Sequence, residues 1–508
     1  MAPSRSLWRA FCGLLIVHKN SGFSPPQPRC KHGGAPRRGA ALKSSQSTEV
    51  LEALATLQPE RDLGAVQAAN KAKGGAQGWF DSVLERSRDD NVAPALVAGR
   101  NSARSLFESG GVVLPGRKQE PWRFTNLKTI WSSANPTTNA KPTTTTDAEP
   151  KQGVLVKVRN GVVEGGHAAE GVFIGSVRNF SVEDASIKNA LSAALPELEA
   201  EQAEARRNSA MGASSWSALN KACAADALII HVAAGVTGPE VFVESTVEAG
   251  VVAHPRFIVS LGAGASLKLT QTFDGEGNSA SNVWTTFNLG ANATLKHASV
   301  AAGHVHLEHV SASLLDGASF SSSTVSFEAD FARVGVDVAH DGAYSTSSLK
   351  GLQLGAARQA LDYRTQVRHE APNCDSFQDI RNVVGGNAHV TFKGRIAVPR
   401  LGQKTDAKQL CRSLLLSDDC TLDAMPSLEI VADDVKCAHG ATVADLDDDM
   451  YFYLISRGLD TQEAKALLVR GFCGSILQAI EAETPLPTST LSNFNSKLEA
   501  LVKLEAKA

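Results

Sequence analysis

Phe257-Ile258-Val259-Ser260-Leu261-Gly262-Ala263-Gly264-Ala265-Ser266-Leu267-Lys268-Leu269-Thr270 is the stretch on which the fold turns. Two short apolar segments flank a Gly-Ala-Gly corner, and the second alternates apolar and polar residues as a strand with one buried face does. The unit recurs. Gly290-Ala291-Asn292, Asp316-Gly317-Ala318 and Asp341-Gly342-Ala343 are similar corners, and Ala227-Leu228-Ile229-Ile230-His231-Val232 is another strand of the same texture. Turn, small residue and strand repeat irregularly, roughly every 25–30 residues, from about residue 225 to about 430. A β-sandwich would be built from hairpins with two-residue Asn-Gly turns, which are nearly absent here. Stacked coils, each burying its inner face only against its neighbours, fit the small-residue corners better. Periodicity alone leaves both architectures open, with the solenoid ahead.

Working outward, residues 49–131 read as a helical region. Leu51, Leu54 and Leu57, then Phe80, Val83 and Leu84, recur at helical spacing, broken by Pro59, Gly74-Gly75 and Gly110-Gly111. Residues 132–150, with Pro-Thr-Thr-Thr-Thr at 142–146, read as a flexible polar linker. Residues 151–224 are a mixed α/β region in which 186–210 look helical. The β-core is expected over 225–443, and a helical domain over 444–508. Within that last domain Gly458 should end one helix. Asp460 with Glu463 forms a capping-box pattern at the start of the next. Ala464, Leu467, Leu468, Phe472, Ile476, Leu477 and Ile480 make an apolar stripe along it.

Composition narrows the possibilities. The 508 residues are 20% charged and 43% apolar, ordinary for a soluble protein, and exceed the size of one compact core. A formal charge of −3 gives no reason to expect nucleic acid, and no stretch approaches the ~20 apolar residues of a membrane span. Eight scattered cysteines without a CxxC pair argue against a secreted disulfide framework. Residues 1–48 carry no Asp or Glu but eight Lys and Arg, from Arg5 to Lys43. This is the composition of an organelle leader, expected to be cleaved before about residue 50. Composition does not separate plastid from mitochondrion; the plastid stroma is the location adopted. The chain has no GxxxxGK[ST] phosphate loop, GxSxG elbow or HExxH motif, so it is read as non-catalytic. The nearest enzymatic rival, a β-helix enzyme acting on polysaccharide, would need carboxylates along a groove. Here they gather at Asp433-Asp434 and Asp445–Asp449, near the end of the core.

The run from Leu428 to Val443 contains Asp433-Asp434-Val435-Lys436-Cys437-Ala438-His439-Gly440-Ala441-Thr442. Together with Met450-Tyr451-Phe452-Tyr453-Leu454, Ser456-Arg457-Gly458 and Arg470-Gly471-Phe472, it resembles the SufD side of the SufB/SufD family of iron–sulfur cluster assembly scaffolds. Arg364-Thr365, Gly394-Arg395-Ile396, Gln403–Ala407 and Leu414–Asp419 are similar to it as well, as is Pro121-Trp122-Arg123-Phe124-Thr125 near the front. The likeness is detailed over about 340–482 and looser back to 225. It implies a right-handed parallel β-helix flanked by N- and C-terminal helices. It also implies pairing with SufB through the β-helices and docking of the ATPase SufC on the C-terminal helices. A SufB-like, cluster-bearing scaffold is the alternative; the Cys-Ala-His-Gly-Ala-Thr string favours SufD.

Cys437 and His439 lie two apart and so share a strand face, half of a possible iron or cluster site. Spacing alone fits equally a buried Cys beside a hydrogen-bonded His. The resemblance implies that His439, with Cys437 as a companion, meets a transient cluster at the SufB interface. Cys411 and Cys420 flank Leu414–Asp419; Cys420 stands where SufB carries a cluster cysteine, although a small apolar filler is the simpler reading. His304, His306 and His309 are read as exposed decoration rather than a metal set. Leu467, Leu468 and Phe472 have two readings, packing onto the β-core or docking SufC, and the resemblance supports the second.

Overall fold

The computed structural model describes residues 75–87, 92–110, parts of 112–130, 153–179 and 214–505. The leader expected at 1–48, the first helical pattern at 51–57, the linker at 132–150 and the helix at 186–210 lie outside the described residues. The chain is mainly β. From Leu228 to Ala444, successive long strands alternate between two sheets, and every pair of stacked neighbours is parallel. One sheet runs from Thr237–Val247 through Ser266–Gly275, Thr294–Ala301, Ser319–Ser326, Thr346–Gly355, Asp375–Val384 and Asp406–Leu415 to Lys436–Ala444. The other runs from Leu228–Val232 through Arg256–Leu261, Ala280–Leu289, Val305–Leu314, Phe331–His340, Ala360–Arg368 and His389–Val398 to Thr421–Ile430. Each coil gives one strand to each sheet, so this is a parallel β-solenoid and not a hairpin sandwich. The column Leu267, Leu295, Phe320, Ser347, Ser376, Ala407, Cys437 traces one inward position through seven successive coils.

The corners show why small residues punctuate the sequence. A Cβ built on Gly342 would sit 2.0 Å from the backbone nitrogen of Asp316 in the coil below. Gly264 adopts φ +69°, a conformation glycine takes without strain. At the N-terminal end, Val154–Arg159 and Val172–Ser176 join the same two sheets. They form antiparallel hairpins with Val162–Glu164 and Gly166–Ala169. The solenoid therefore begins on a β-cap inside the region read as mixed α/β.

Both outer faces are covered. Helices α1 (Gly75–Arg86), α2 (Pro94–Glu108) and α3 (Ser214–Cys223) lie on the second sheet, where Trp79, Phe80, Trp122 and Trp216 pack against Val305, Leu307 and Phe331. The aromatic motif at 121–125 works as a clasp. Arg333 stacks 3.7 Å above the Trp122 ring and donates to the Pro121 carbonyl, to Thr125 Oγ1 and to Asp362. Burial alone would raise the Asp362 carboxyl, but Arg364 and Arg333 outweigh it and hold it below its usual value. Helices α4 (Asp448–Ser456), α5 (Thr461–Glu483) and α6 (Thr488–Glu505) follow the last coil. The capping box at Asp460 and Glu463 forms, and Gly458 ends α4 at φ +93°. Helices α5 and α6 cover the first sheet, with Val469, Cys473, Ile476, Ile480, Phe494 and Leu498 on Val300, Val325, Leu352, Leu354 and Val383. Among the described residues no helix is long and apolar enough to cross a membrane.

Candidate functional site at the open end of the solenoid

In the interior coils, inward side chains of one coil sit under those of the next. Among the described residues no strand stacks on the last coil. Thr421–Ile430 and Lys436–Ala444 are the terminal strands of the two sheets, each with one paired edge. Lys436–Ala444 places Cys437, His439, Ala441 and Val443 directly over Ala407, Gln409, Cys411 and Ser413, all four of which are buried. The same inward positions that are sealed one coil below are half-buried at Cys437 and exposed at His439, Ala441 and Val443. Ile430 and Val431 at the adjoining corner are exposed too. The open face is thus apolar at its rim, with a thiol and an imidazole side by side within it.

Below this face the inner polar groups form a ladder. Thr365 Oγ1 donates to Gln378 Oε1 at 2.7 Å, and Gln409 Nε2 donates to the same oxygen at 3.0 Å. Gln409 Oε1, in the register position beneath His439, is a buried acceptor with no partner. Burial pushes the Cys437 thiol up; a backbone hydrogen bond at Ala407 opposes this and the Asp406 carboxylate adds to it. A metal at Cys437 would therefore have to displace a proton as it binds. Among the described residues, no third His, Cys, Asp or Glu is grouped with Cys437 and His439. Two ligands on an open face form half a site, which a facing surface can complete.

The other cysteines are set apart. Cys411 lies within the solenoid, contacted by Asn382 and Ser413, its thiol pushed up to about 11 mainly by burial. Cys420 sits at the start of the last coil, half-buried, its thiol donating to the Ser417 carbonyl at 2.9 Å. The histidines at 304–309 are not exposed decoration, and that expectation is corrected here. His306 points inward, bonded to Ser281 and Glu308 in the dry interior. His309 is buried on the outer face under Trp284, ring centroids 4.3 Å apart. His304 alone is partly open and pairs with Asp330. One strand sends its residues to both faces, so the three cannot converge.

On α5, Leu467 and Leu468 are half-buried, and Phe472 is half-buried against the cluster under the helix. Arg381 donates to the Phe472 carbonyl and lies 5.6 Å from its ring. Val469 and Cys473, absent from the stripe read in the sequence, are buried beside Ile476 and Ile480 and carry the packing. Sequence reasoning also missed Phe452 and Tyr453 on α4, exposed at 73% and 51%. The signal was available: five consecutive large residues at 450–454 cannot all reach one face of a helix, and Leu454 takes the buried place.

A parallel solenoid with helical covers and a Cys-X-His pair on its last coil defines a class, and the comparisons agree with it. Residues 242–472 match the family described as SUF system FeS cluster assembly, SufBD core domain. Over that stretch the chain is similar to the SufB/SufD proteins. It is 30% identical to the iron-sulfur cluster assembly protein SufD of Escherichia coli over 261 residues, covering 50% of this chain and 60% of that protein. It is 28% identical over 449 residues to Protein ABCI7, chloroplastic, of Arabidopsis thaliana, covering 83% of this chain and 92% of the relative. The match to SufD of Plasmodium berghei, 33% over 134 residues, spans 26% of this chain and 10% of that one.

Proposed function

We propose that this chain is a SufD-type, non-catalytic scaffold subunit that pairs with SufB through the open end of its solenoid. The observation that supports this reading is the last coil. Its inward positions, sealed in every coil beneath, are half-buried at Cys437 and exposed at His439 and Val443. A second solenoid end would bury that apolar rim and continue the stack. His439 then contributes an imidazole nitrogen to a nascent cluster whose sulfur ligand comes from SufB, with Cys437 beside it. The cluster is cargo, formed and passed on. SufC docks on the C-terminal helices, through Leu467, Leu468 and Phe472 on α5 and the exposed Phe452 and Tyr453 on α4. The chain works in the plastid stroma after losing its leader, a location supported by the chloroplastic relative.

Anaerobic co-expression with SufB and SufC, followed by iron and sulfide analysis, tests this. His439→Ala is expected to fold and pair with SufB normally, because one ligand contributes little to a large interface. It should fail to accumulate cluster. Normal cluster content in that complex would rule out the ligand role. Cys437→Ser should match it if Cys437 is also a ligand and lose less if it only packs.

A further inference from the structure

We infer that His340, His369 and Cys374 form a buried site for a single thiophilic divalent transition-metal ion, held by this chain alone and separate from Cys437 and His439. The three lie at one corner of two adjacent coils, and their ligand atoms all fall within 4.8 Å of one another. His340 and His369 occupy equivalent positions at the ends of neighbouring strands of the second sheet, their rings stacked 4.5 Å apart and 9° from parallel. Cys374 holds the position that Ser345 holds one coil below. All four side chains are buried.

The surroundings argue for a ligand rather than for packing. The column that contains the two histidines is Leu314 beneath and Val398 above, so aliphatic residues fill the same position in the flanking coils. Only the two middle coils place imidazoles there. His340 is bonded through Nδ1 to Ser345 at 2.7 Å and through Nε2 to Ser347 at 2.9 Å, and His369 Nε2 meets Ser376 at 3.0 Å. His369 Nδ1, by contrast, is a buried nitrogen with no partner. An unpaired polar atom in a dry site carries a penalty that a metal bond removes. Ser345 Oγ, 3.4 Å from Cys374 Sγ, brings a fourth donor to the group. Donor atoms bound to one tetrahedral ion lie ~3.5 Å apart, and an imidazole lone pair lies in its ring plane, so closing the site needs shifts of about an ångström and a rotation of one ring out of the stack. Two imidazoles with one thiol suit zinc or iron(II) and not the hard cations magnesium and calcium. Burial pushes His369 down to about 4 and His340 well below its usual value, with His369 adding to the latter. Both rings are therefore neutral at neutral pH, as metal binding requires; Cys374 gives up its thiol proton as the ion enters.

The test uses the full chain purified alone, stripped with chelator and titrated anaerobically with Co2+. The expected result is a thiolate-to-cobalt charge-transfer band with tetrahedral visible bands, saturating at one ion per chain. The double variant Cys437→Ser/His439→Ala should give the same titration. Cys374→Ser should lose the charge-transfer band, and His369→Gln should weaken binding by more than about tenfold. A folded wild-type chain without the band overturns the inference, as does a band that survives Cys374→Ser or disappears in the double variant. If Cys374→Ser does not fold, cobalt-edge X-ray absorption of the wild type decides. A shell containing sulfur and imidazole is expected, and one of only oxygen and nitrogen overturns the site.

Discussion

The coil formed by Ala360–Arg368 and Asp375–Val384 and the coil formed by Thr421–Ile430 and Lys436–Ala444 each pair a strand of nine residues with one of ten. Their environments are opposite. In the first, Leu361, Tyr363, Val367, Ile380 and Val384 are almost fully buried between neighbours. In the second, Val443 is 51% and Ile430 41% exposed although both continue columns that are buried below. A strand in a solenoid acquires its inside only from the coils on either side. The last coil therefore presents, to whatever meets it, a surface patterned like a core. This is the physical basis for reading the open end as an interface.

The comparison can be broken most directly by putting the same charge at both places. Val367→Asp buries a carboxylate in the closed interior and should cost several kcal/mol or abolish folding, read by a chemical-denaturation curve. Val443→Asp should change stability by no more than about 0.5 kcal/mol yet prevent pairing with SufB in a pull-down. Equal losses of stability would remove the distinction between the two coils.

A second large effect concerns pH. His254 and His309 are pushed down to about 3, and His297 and His369 to about 4, chiefly by burial. Each folded value lies below the ordinary 6.5, so the unfolded chain takes up protons that the folded one refuses. Stability from these groups is complete above about pH 6.5 and is lost as pH falls toward 4. The slope is on the order of 1.4 kcal/mol per pH unit per residue. Thermal melts between pH 7 and pH 4.5 should show a steep fall. Replacing His309 by Gln should flatten it, because that ring packs against Trp284 without a role at the open end.

The C-terminal helices repeat the contrast on a smaller scale. Phe472→Asp should lower stability by roughly 1–3 kcal/mol, since its ring adjoins the cluster over the first sheet. Phe452→Asp should leave the melt unchanged and weaken SufC binding. If only Phe472→Asp affects SufC, docking belongs to α5 alone. The smallest effect is expected at the N-terminal clasp. Thr125→Val removes one hydroxyl shared by Arg333 and Asp362 and should cost about 1 kcal/mol, without altering either interface.

Much of the architecture was legible because it is local. The Gly-Ala and Asp-Gly corners mark where coils bend, and Asp460 with Glu463 marks where α5 begins. Cys437 and His439 were legible as a same-face pair because strand period is two. The stripe on α5 was only partly readable. Val469 and Cys473 took the buried positions because the helix turns a different face to the first sheet than its largest residues suggested.

By itself the sequence determined the repeating strand-and-corner texture, the helix caps and the likeness at 428–443 that points to the family. All of these are written within a few dozen neighbouring residues. Only the tertiary structure decided which faces are inside. It buried His306 in the solenoid interior and His309 beneath Trp284, and it turned Trp122 into a clasp with Arg333. It brought His340, His369 and Cys374 to one corner from successive coils, and among the described residues it left the last coil's outer edges unpaired. Each of these depends on which strands stack as neighbours, a relation between residues far apart in the chain that local pattern does not record.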